Sequence, residues 1–221
     1  MSWLNPKGKP IVAFAEFKIP CDSEFLIESK SFKLYLNSLN QTQFESIDEV
    51  QSILSHDLSQ GTKAIVECRL LSLADAPRKM GELAGDCLDD LDIECSEYQP
   101  NASYLKASPD GGLVTETFHT HLLKSNCLVT GQPDWGSIEV QYKGRPIDRA
   151  GFLKYIVSLR EHNEFHEQCV ERVFMDITRC CKPDELTVYA RYTRRGGLDI
   201  NPWRSSQKAN SSVNLERLVR Q

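Results

Sequence analysis

The sequence predicts an α+β fold in which antiparallel sheets carry helices packed on one face. In the second half of the chain, strands separated by a turn-rich segment precede two amphipathic helices, and further strands follow them. Neighbouring strands joined by tight turns favour antiparallel pairing, and amphipathic helices then cover one face of the sheet. The first half repeats this order with a single long helix, so it is interpreted as a degenerate copy of the second half.

Apolar spacing and turn residues predict the elements of the first half. The helix has apolar residues three and four positions apart, and Gln60-Gly61 is expected to end it. In chain order, the sequence predicts a strand over Pro10–Ile19, a helix over Gln43–Ser59, strands over Thr62–Leu73 and Asp92–Tyr98, and a polar linker over Gln99–Gly112.

The start of the chain predicts an unbalanced hairpin. Asn5–Lys9 is typical of a hairpin loop, but only Met1–Leu4 precedes it, whereas a long strand follows. A long strand with a short partner leaves backbone donors unpaired. We therefore expect either residues ahead of Met1 or another segment of the chain to cover that edge.

The second half is predicted in the same way. Pro183 should stop its second helix, Gly196-Gly197 should break its last long strand, and the polar tail Ser205–Ser212 should be mobile. The predicted elements are strands over Leu113–Leu123, Gly136–Tyr142 and Leu186–Arg194, and helices over Asp148–Arg160 and Glu167–Cys181.

Composition and charge favour a globular protein over a membrane-spanning or nucleic-acid-binding one. The chain has 221 residues, of which 40% are hydrophobic and 26% charged, as is typical of a globular protein without a membrane-spanning helix. The net charge of −5 argues against an extended nucleic-acid surface. No secretory leader opens the sequence, so its eight cysteines are expected to be the reduced thiols of a cytoplasmic protein.

No metal site is predicted from spacing. No CxxC pair occurs, and the histidines do not stand at zinc-type spacing from the cysteines. His119 and His121 alternate and share one face of a strand. Such a pair can bind a metal, but a solvated or core strand face is the commoner outcome.

A cysteine and an aspartate stand close together in the segment SNCLVTGQPDWGS, Ser125–Ser137. Cys127 precedes Asp134 by seven residues, with turn residues at Gly131 and Pro133 between them. A thiolate is both a nucleophile and a good leaving group, and a nearby carboxyl group can supply a proton. A free cysteine is more often a small buried apolar residue, so this segment alone leaves both interpretations open.

Three segments together carry a resemblance to a known family. They are LIESKSFKLYLNS, the cysteine segment above, and HNEFHEQCVER with RYTRRGGLDINPWRS behind it, and they span Leu26–Ser38, Ser125–Ser137, His162–Arg172 and Arg191–Ser205. The set resembles the long, two-module form of the NADPH-dependent 7-cyano-7-deazaguanine reductases. These enzymes are the nitrile reductases of queuosine biosynthesis.

The resemblance implies a tunnelling fold with modules at residues 1–110 and 111–221. It implies reduction of a nitrile to a primary amine by two NADPH, a homodimer, and no direct contact with nucleic acid or membrane. It also implies that the zinc site of the related GTP cyclohydrolases is lacking. Long-form members usually carry additional residues ahead of the position of Met1, so an N-terminal truncation is expected.

The resemblance also assigns roles to individual residues. It implies that Cys127 is the nucleophile, which forms a covalent thioimide, and that Asp134 is the general acid. It places the substrate at Ile27, Glu28, Ser29, His166 and Glu167. It places NADPH at Ser29, Lys30, Arg195 and Gly196, with Lys33 and Arg194 beside them.

Two other functions are kept open. A cysteine nitrile hydrolase would use water and would not need the cations of ESKSFK and TRRGG. A non-catalytic scaffold would bind a purine-like base through Glu28 and Glu167 without turning it over. A Rossmann domain is not supported, because the sequence has no GxGxxG motif.

Overall fold

The chain divides into two compact units, Met1–Arg78 and Lys79–Gln221. The computed structural model describes residues 1–77, 79–207 and 216–221. Most of the tail predicted to be mobile therefore lies outside the described residues. The module boundary near residue 110 stays a prediction, because compactness alone does not identify a repeated module.

The first unit holds two antiparallel strand pairs and two helices. Its elements are β1 Ser2–Leu4, β2 Pro10–Val12, β3 Phe14–Lys18, α1 Ser29–Ser38, α2 Ile47–Thr62 and β4 Glu67–Leu71. β1 pairs with β2, and β3 pairs with β4. The predicted strand Pro10–Ile19 is thus interrupted at Ala13, which is buried. The second part of the predicted strand, β3, pairs with β4. Another segment of the chain therefore covers this edge, which was one of the two expectations for the first hairpin.

Local capping explains where α2 begins and ends. Ser46 accepts a hydrogen bond from the Glu49 amide at 3.1 Å, and acidic residues fill the first turn. The helix runs on through Gly61 to Thr62, whose buried hydroxyl donates to the Leu58 carbonyl at 2.9 Å. The prediction that Gln60-Gly61 ends the helix was therefore wrong, and the strand after it is shorter than predicted.

Helix α1 was not predicted. The carboxylate of Glu28 caps it by accepting from the amides of Lys30 at 2.9 Å and Ser31 at 2.8 Å. On its inner face Phe32 packs edge-on against Phe17, with ring centroids 5.0 Å apart. Phe32 and Leu36 stand four positions apart, which is a helical signal in the sequence.

The second unit is built on one five-stranded sheet in the order β5-β6-β7-β8-β9. Only the β5–β6 pair is parallel within the described residues. The elements are β5 Asp86–Cys87, β6 Val114–Asn126, β7 Pro133–Gly144, α3 Arg149–Ser158, α4 His166–Cys181, β8 Glu185–Tyr192 and β9 Trp203–Ser205. Antiparallel pairing and four helices confirm the predicted α+β class.

Two predicted segments differ from the structure. Residues 92–98 form no strand, and Asp86–Cys87 pairs with β6 instead. The segment predicted as a linker contains a 3-10 turn at Ala102–Tyr104, and Leu105 behind it is buried in the core. The polar composition of the segment did not indicate this packing, because only a few of its residues are apolar and reach the core.

The helices α3 and α4 cover one face of the sheet and close a single core. Phe118 of β6 lies 4.8 Å from Phe152 of α3 and 6.0 Å from Tyr142 of β7, measured between ring centroids. The rest of this core comes from the inward faces of β7, β8 and α4, including Ile138, Val140, Val188, Val173 and Ile177. None of the described helices is long and apolar enough to cross a membrane.

Truncating a core side chain of α3 should destabilise the protein strongly. Leu153 is 1% exposed, so Leu153→Ala is expected to lower the free energy of unfolding by about 2–5 kcal/mol through lost burial and a cavity. Urea denaturation measures this change. The matched control is Leu113→Ala, because Leu113 is 68% exposed and should change stability by less than about 0.5 kcal/mol. Equal effects of the two variants would contradict the described core.

Candidate active site

A tight loop between β6 and β7, which begins at Cys127, brings Asp134 back alongside β6. The Cys127 amide donates to the Gln132 carbonyl at 2.8 Å, and the Gly131 amide donates to the Cys127 carbonyl at 2.9 Å. Gly131 has φ +66°, a left-handed conformation that glycine adopts without strain. In the strand register, Asp134 faces Ser125.

A second segment pairs with the end of β6 and leads into α4. The Asn126 amide donates to the His162 carbonyl at 2.8 Å, and the Glu164 amide donates to the Asn126 carbonyl at 3.0 Å. This short parallel bridge sets the position at which α4 begins, at His166. His166 consequently meets Asp134, with Nε2 of the ring 3.3 Å from Oδ1 of the carboxylate.

A third segment, the turn after β8, reaches the same carboxylate. Arg195 and Leu198 exchange backbone hydrogen bonds of 2.9 and 3.2 Å, and Gly196 and Gly197 have φ of +60° and +80°. These values are those of a type I′ turn, which needs positive φ at both central residues. The Arg195 guanidinium contacts Oδ1 of Asp134 at 2.5 Å and also donates to the Gln132 side chain.

The Asp134 carboxylate is buried between His166 and Arg195. Only 3% of the residue is exposed. Burial alone would raise its pKa, but His166 and Arg195 together hold the pKa below the ordinary value for aspartate. His166 Nε2 is buried and faces Asp134 Oδ1 at 3.3 Å without a hydrogen bond of good geometry. Asp134 is therefore ionised at neutral pH.

Cys127 is the cysteine whose surroundings favour a thiolate. Partial burial raises its pKa, but hydrogen bonds from Thr130, Val129 and Arg195 outweigh this and lower the pKa below the ordinary value. By contrast, burial raises the pKa of Cys169 to about 11 and that of Cys181 to about 12. All eight cysteines are free of disulfide bonds.

Glu167 and His166 occupy the first turn of α4. The N-cap position holds Phe165, whose side chain cannot accept a hydrogen bond, and the Glu167 carboxylate accepts from its own backbone amide. Burial nevertheless raises the Glu167 pKa above its ordinary value. The His166 ring stacks on the buried ring of Tyr192, with centroids 3.9 Å apart and planes 24° apart.

The remaining predicted site residues lie in the first unit, at the start of α1. Glu28 is the N-cap of that helix, and its pKa is lowered because hydrogen bonds from Lys30 and Ser31 outweigh burial. Ile27 precedes this cap, and Ser29 and Lys30 form the first turn with Lys33 one turn further along. Both carboxylate oxygens of Glu28 are thus already hydrogen-bonded within the helix.

The sequence did not identify three residues that shape the site. Gln132 binds the Arg195 guanidinium, Tyr192 stacks on His166, and Thr130 donates to the Cys127 sulfur. Tyr192 carried no signal, because an aromatic residue in a strand normally belongs to the core. Gln132 and Thr130 flank Gly131 in a turn, where polar residues are ordinary.

Comparison with known proteins matches both units. A family described as the N-terminal part of the nitrile reductase 7-cyano-7-deazaguanine reductase matches residues 1–70, and a family described as QueF-like protein matches residues 133–211. A solved structure, the archaeosine synthase QueF-Like in its apo form, is 20% identical and covers 45% of this chain and 95% of its own. Its TM-score of 0.38 is too low to support an argument about the fold.

Curated relatives are much more similar. NADPH-dependent 7-cyano-7-deazaguanine reductase from Cupriavidus metallidurans is 59% identical over 207 residues, which cover 93% of this chain and 75% of the relative. The protein of the same name from Azoarcus sp. is 53% identical over 221 residues, which cover 98% and 78%. The chain belongs to the family of NADPH-dependent 7-cyano-7-deazaguanine reductases.

Proposed function

We propose that this chain reduces the nitrile of 7-cyano-7-deazaguanine to the primary amine of 7-aminomethyl-7-deazaguanine, with NADPH as the reductant. The names of its relatives supply the substrate and the cofactor. The structural observation that best supports the chemistry is the Arg195 guanidinium, which lowers the pKa of both Cys127 and Asp134. A nucleophilic sulfur and a carboxylate that can exchange protons are what addition to a nitrile requires.

In the proposed first step, the sulfur of Cys127 adds to the nitrile carbon. A carbon–sulfur bond forms, one π bond of the nitrile breaks, and the thiol proton ends on the nitrogen as a thioimide. Asp134 is ionised in the free protein, so it first accepts the thiol proton and then delivers it. His166 and Arg195 favour the ionised form of Asp134, so the protonated carboxyl group gives up its proton readily.

The proposed reduction then needs a proton at nitrogen for each hydride that reaches carbon. NADPH supplies one hydride in each of two rounds when it is bound. After the first round, Cys127 leaves as the carbon–sulfur bond breaks, and its thiol is restored by a proton from the nitrogen. Asp134, held beside His166, is the group we assign to proton delivery at nitrogen in both rounds, and it takes up each of these protons from water. The product is the primary amine.

Recognition of the base is assigned to carboxylates. A carboxylate accepts hydrogen bonds from a ring N–H and an exocyclic amine, the two donors on one edge of a guanine-like base. Glu167 suits this role because it is partly buried in the first turn of α4, beside His166. We assign Ile27, Glu28 and Ser29 to the same recognition on family resemblance, with Glu28 also serving as the α1 cap.

The structure supports some of the proposed NADPH contacts more than others. Lys30 offers a cation and Ser29 a hydroxyl to a phosphate, whereas the amides of Lys30 and Ser31 are already bound by Glu28. Gly196 leaves its turn open, because it has no side chain. Arg195 fits less well, since its guanidinium is already bound by Asp134 and Gln132. We therefore assign Arg195 first to positioning Asp134 and only second to the cofactor.

Family membership also supports a proposed architecture. We propose two tunnelling-fold modules at residues 1–110 and 111–221, assembled as a cytoplasmic homodimer without nucleic-acid or membrane partners. In the second unit, the two helices on one face of an antiparallel sheet are consistent with such a module.

Reaction stoichiometry tests the proposed function against its two alternatives. Protein, nitrile base and NADPH are mixed, and nicotinamide absorbance and products are followed. We expect two NADPH oxidised per base and a primary amine product. An amide or acid without NADPH oxidation would instead indicate the hydrolase, and binding without turnover would indicate the scaffold.

Cys127→Ala should abolish a covalent adduct with the base. Without NADPH, the wild-type protein should gain the full mass of the nitrile, because addition expels no leaving group. Intact-mass spectrometry measures the gain. Cys95→Ala is the matched control and should keep the adduct, since Cys95 lies outside the candidate site. An adduct that survives in the Cys127 variant would show that another residue is the nucleophile.

Arg195→Met should move the reactivity of Cys127 to higher pH. Loss of the cation should raise the pKa of the thiol and of Asp134, because Arg195 stabilises both ionised forms. Alkylation of Cys127 by iodoacetamide, followed against pH, should shift its midpoint upward.

The control for this pH profile is Arg194→Met. Arg194 pairs with Asp199 at 3.7 Å rather than with Asp134, so the midpoint should not move. Equal midpoints in wild-type and Arg195→Met protein would refute the electrostatic role of Arg195.

A further inference from the structure

Three side chains of the types that bind metals lie close together in the second unit. None of them is among the residues assigned to nitrile reduction. They are Cys87, His119 and His121, and one donor atom from each lies within 4.8 Å of the others. We propose that these three side chains bind a Zn²⁺ ion, with a fourth position open to water. Nothing in the proposed nitrile reduction uses them.

Strand pairing creates this group. β5 runs parallel to β6 with Cys87 opposite His119, and the Leu88 amide donates to the His119 carbonyl at 2.9 Å. His121 is two residues further along, where β6 is irregular between Thr120 and Leu123. The two imidazole rings lie 5.2 Å apart at 64°. The cysteine is far from the histidines in sequence, so no spacing rule could reveal the group.

Each imidazole is held through its Nδ1 atom. His119 Nδ1 lies 2.9 Å from the Ala84 carbonyl oxygen, which can only accept, so this nitrogen carries the proton. His121 Nδ1 lies 2.8 Å from the buried Ser137 hydroxyl. Nε2 of His119 then bears the free lone pair, and so does Nε2 of His121 when its Nδ1 donates to Ser137. Metal-binding histidines are oriented in this way by a partner on the second nitrogen.

An acidic residue, Asp89, is hydrogen-bonded to the strand that carries both histidines. Asp89 accepts from the Thr120 hydroxyl at 2.5 Å and from the His121 amide at 3.1 Å. A carboxylate at this place also offsets part of a cation's charge.

The donor set selects the class of metal. One thiolate and two imidazoles suit Zn²⁺, which prefers nitrogen and sulfur in a tetrahedron, and do not suit Mg²⁺ or Ca²⁺. An ion bound there would fasten the short edge strand β5 to β6. β5 has only two residues, so a bond through Cys87 would add a strong contact to a weakly paired edge.

Cobalt substitution tests the proposal through a spectroscopic signature. Protein stripped with a chelator is titrated with Co²⁺ in a Cys127→Ser background, so that the candidate nucleophile contributes no thiolate. We expect one equivalent to produce the d–d bands of a tetrahedral ion together with a thiolate-to-cobalt charge-transfer band. Absence of binding, or binding without the thiolate band, would overturn the site.

Three variants in this background identify the ligands. Cys87→Ser should remove the thiolate band, while Cys95→Ser, the matched control, should retain it. Ser137→Ala should keep the band and weaken Zn²⁺ binding by roughly 10- to 100-fold, measured against a chelating dye, because it frees the His121 ring. Circular dichroism of the metal-free forms confirms folding. A band that persists in Cys87→Ser, or unchanged affinity in Ser137→Ala, would refute the assignment.

Discussion

The ion pair between Arg195 and Asp134 is the interaction on which the candidate active site depends. It joins the turn after β8 to the second residue of β7, and His166 of α4 contacts the same carboxylate. Removing a carboxylate from water is costly, and a buried pair is tolerated only where several partners compensate. Asp134 has two such partners, His166 and Arg195.

Arg195 of this pair also hydrogen-bonds the Cys127 sulfur and helps to lower the pKa of that thiol. The Arg195 guanidinium is shared between Asp134, Gln132 and Cys127, so one cation stabilises two ionised groups. By contrast, burial dominates at Cys169 and Cys181 and raises the pKa of both thiols.

Strand edges do most of the positioning in the second unit. Asn126, at the end of β6, pairs with the segment that leads into α4, and so places His166. Further back along β6, pairing with β5 brings Cys87 to the two histidines. One strand thereby organises two separate groups of reactive side chains. Both depend on backbone hydrogen bonds, which fix register to within a residue because a slip would turn every side chain to the other face.

The sequence by itself determined the elements with strong periodicity, since α4 and the long strands β6 to β8 follow directly from their apolar spacing. It also determined the family, because the family depends on local motifs, whereas the catalytic roles of Cys127 and Asp134 stay a prediction. Only the tertiary structure decided that Arg195 binds Asp134, that Leu105 belongs to the core and that Cys87 lies beside His119. It also corrected the strand at residues 92–98 and added α1. Contacts between residues distant in sequence arise from strand pairing and burial. Local sequence patterns do not specify which distant segments pair, so they could not predict these contacts.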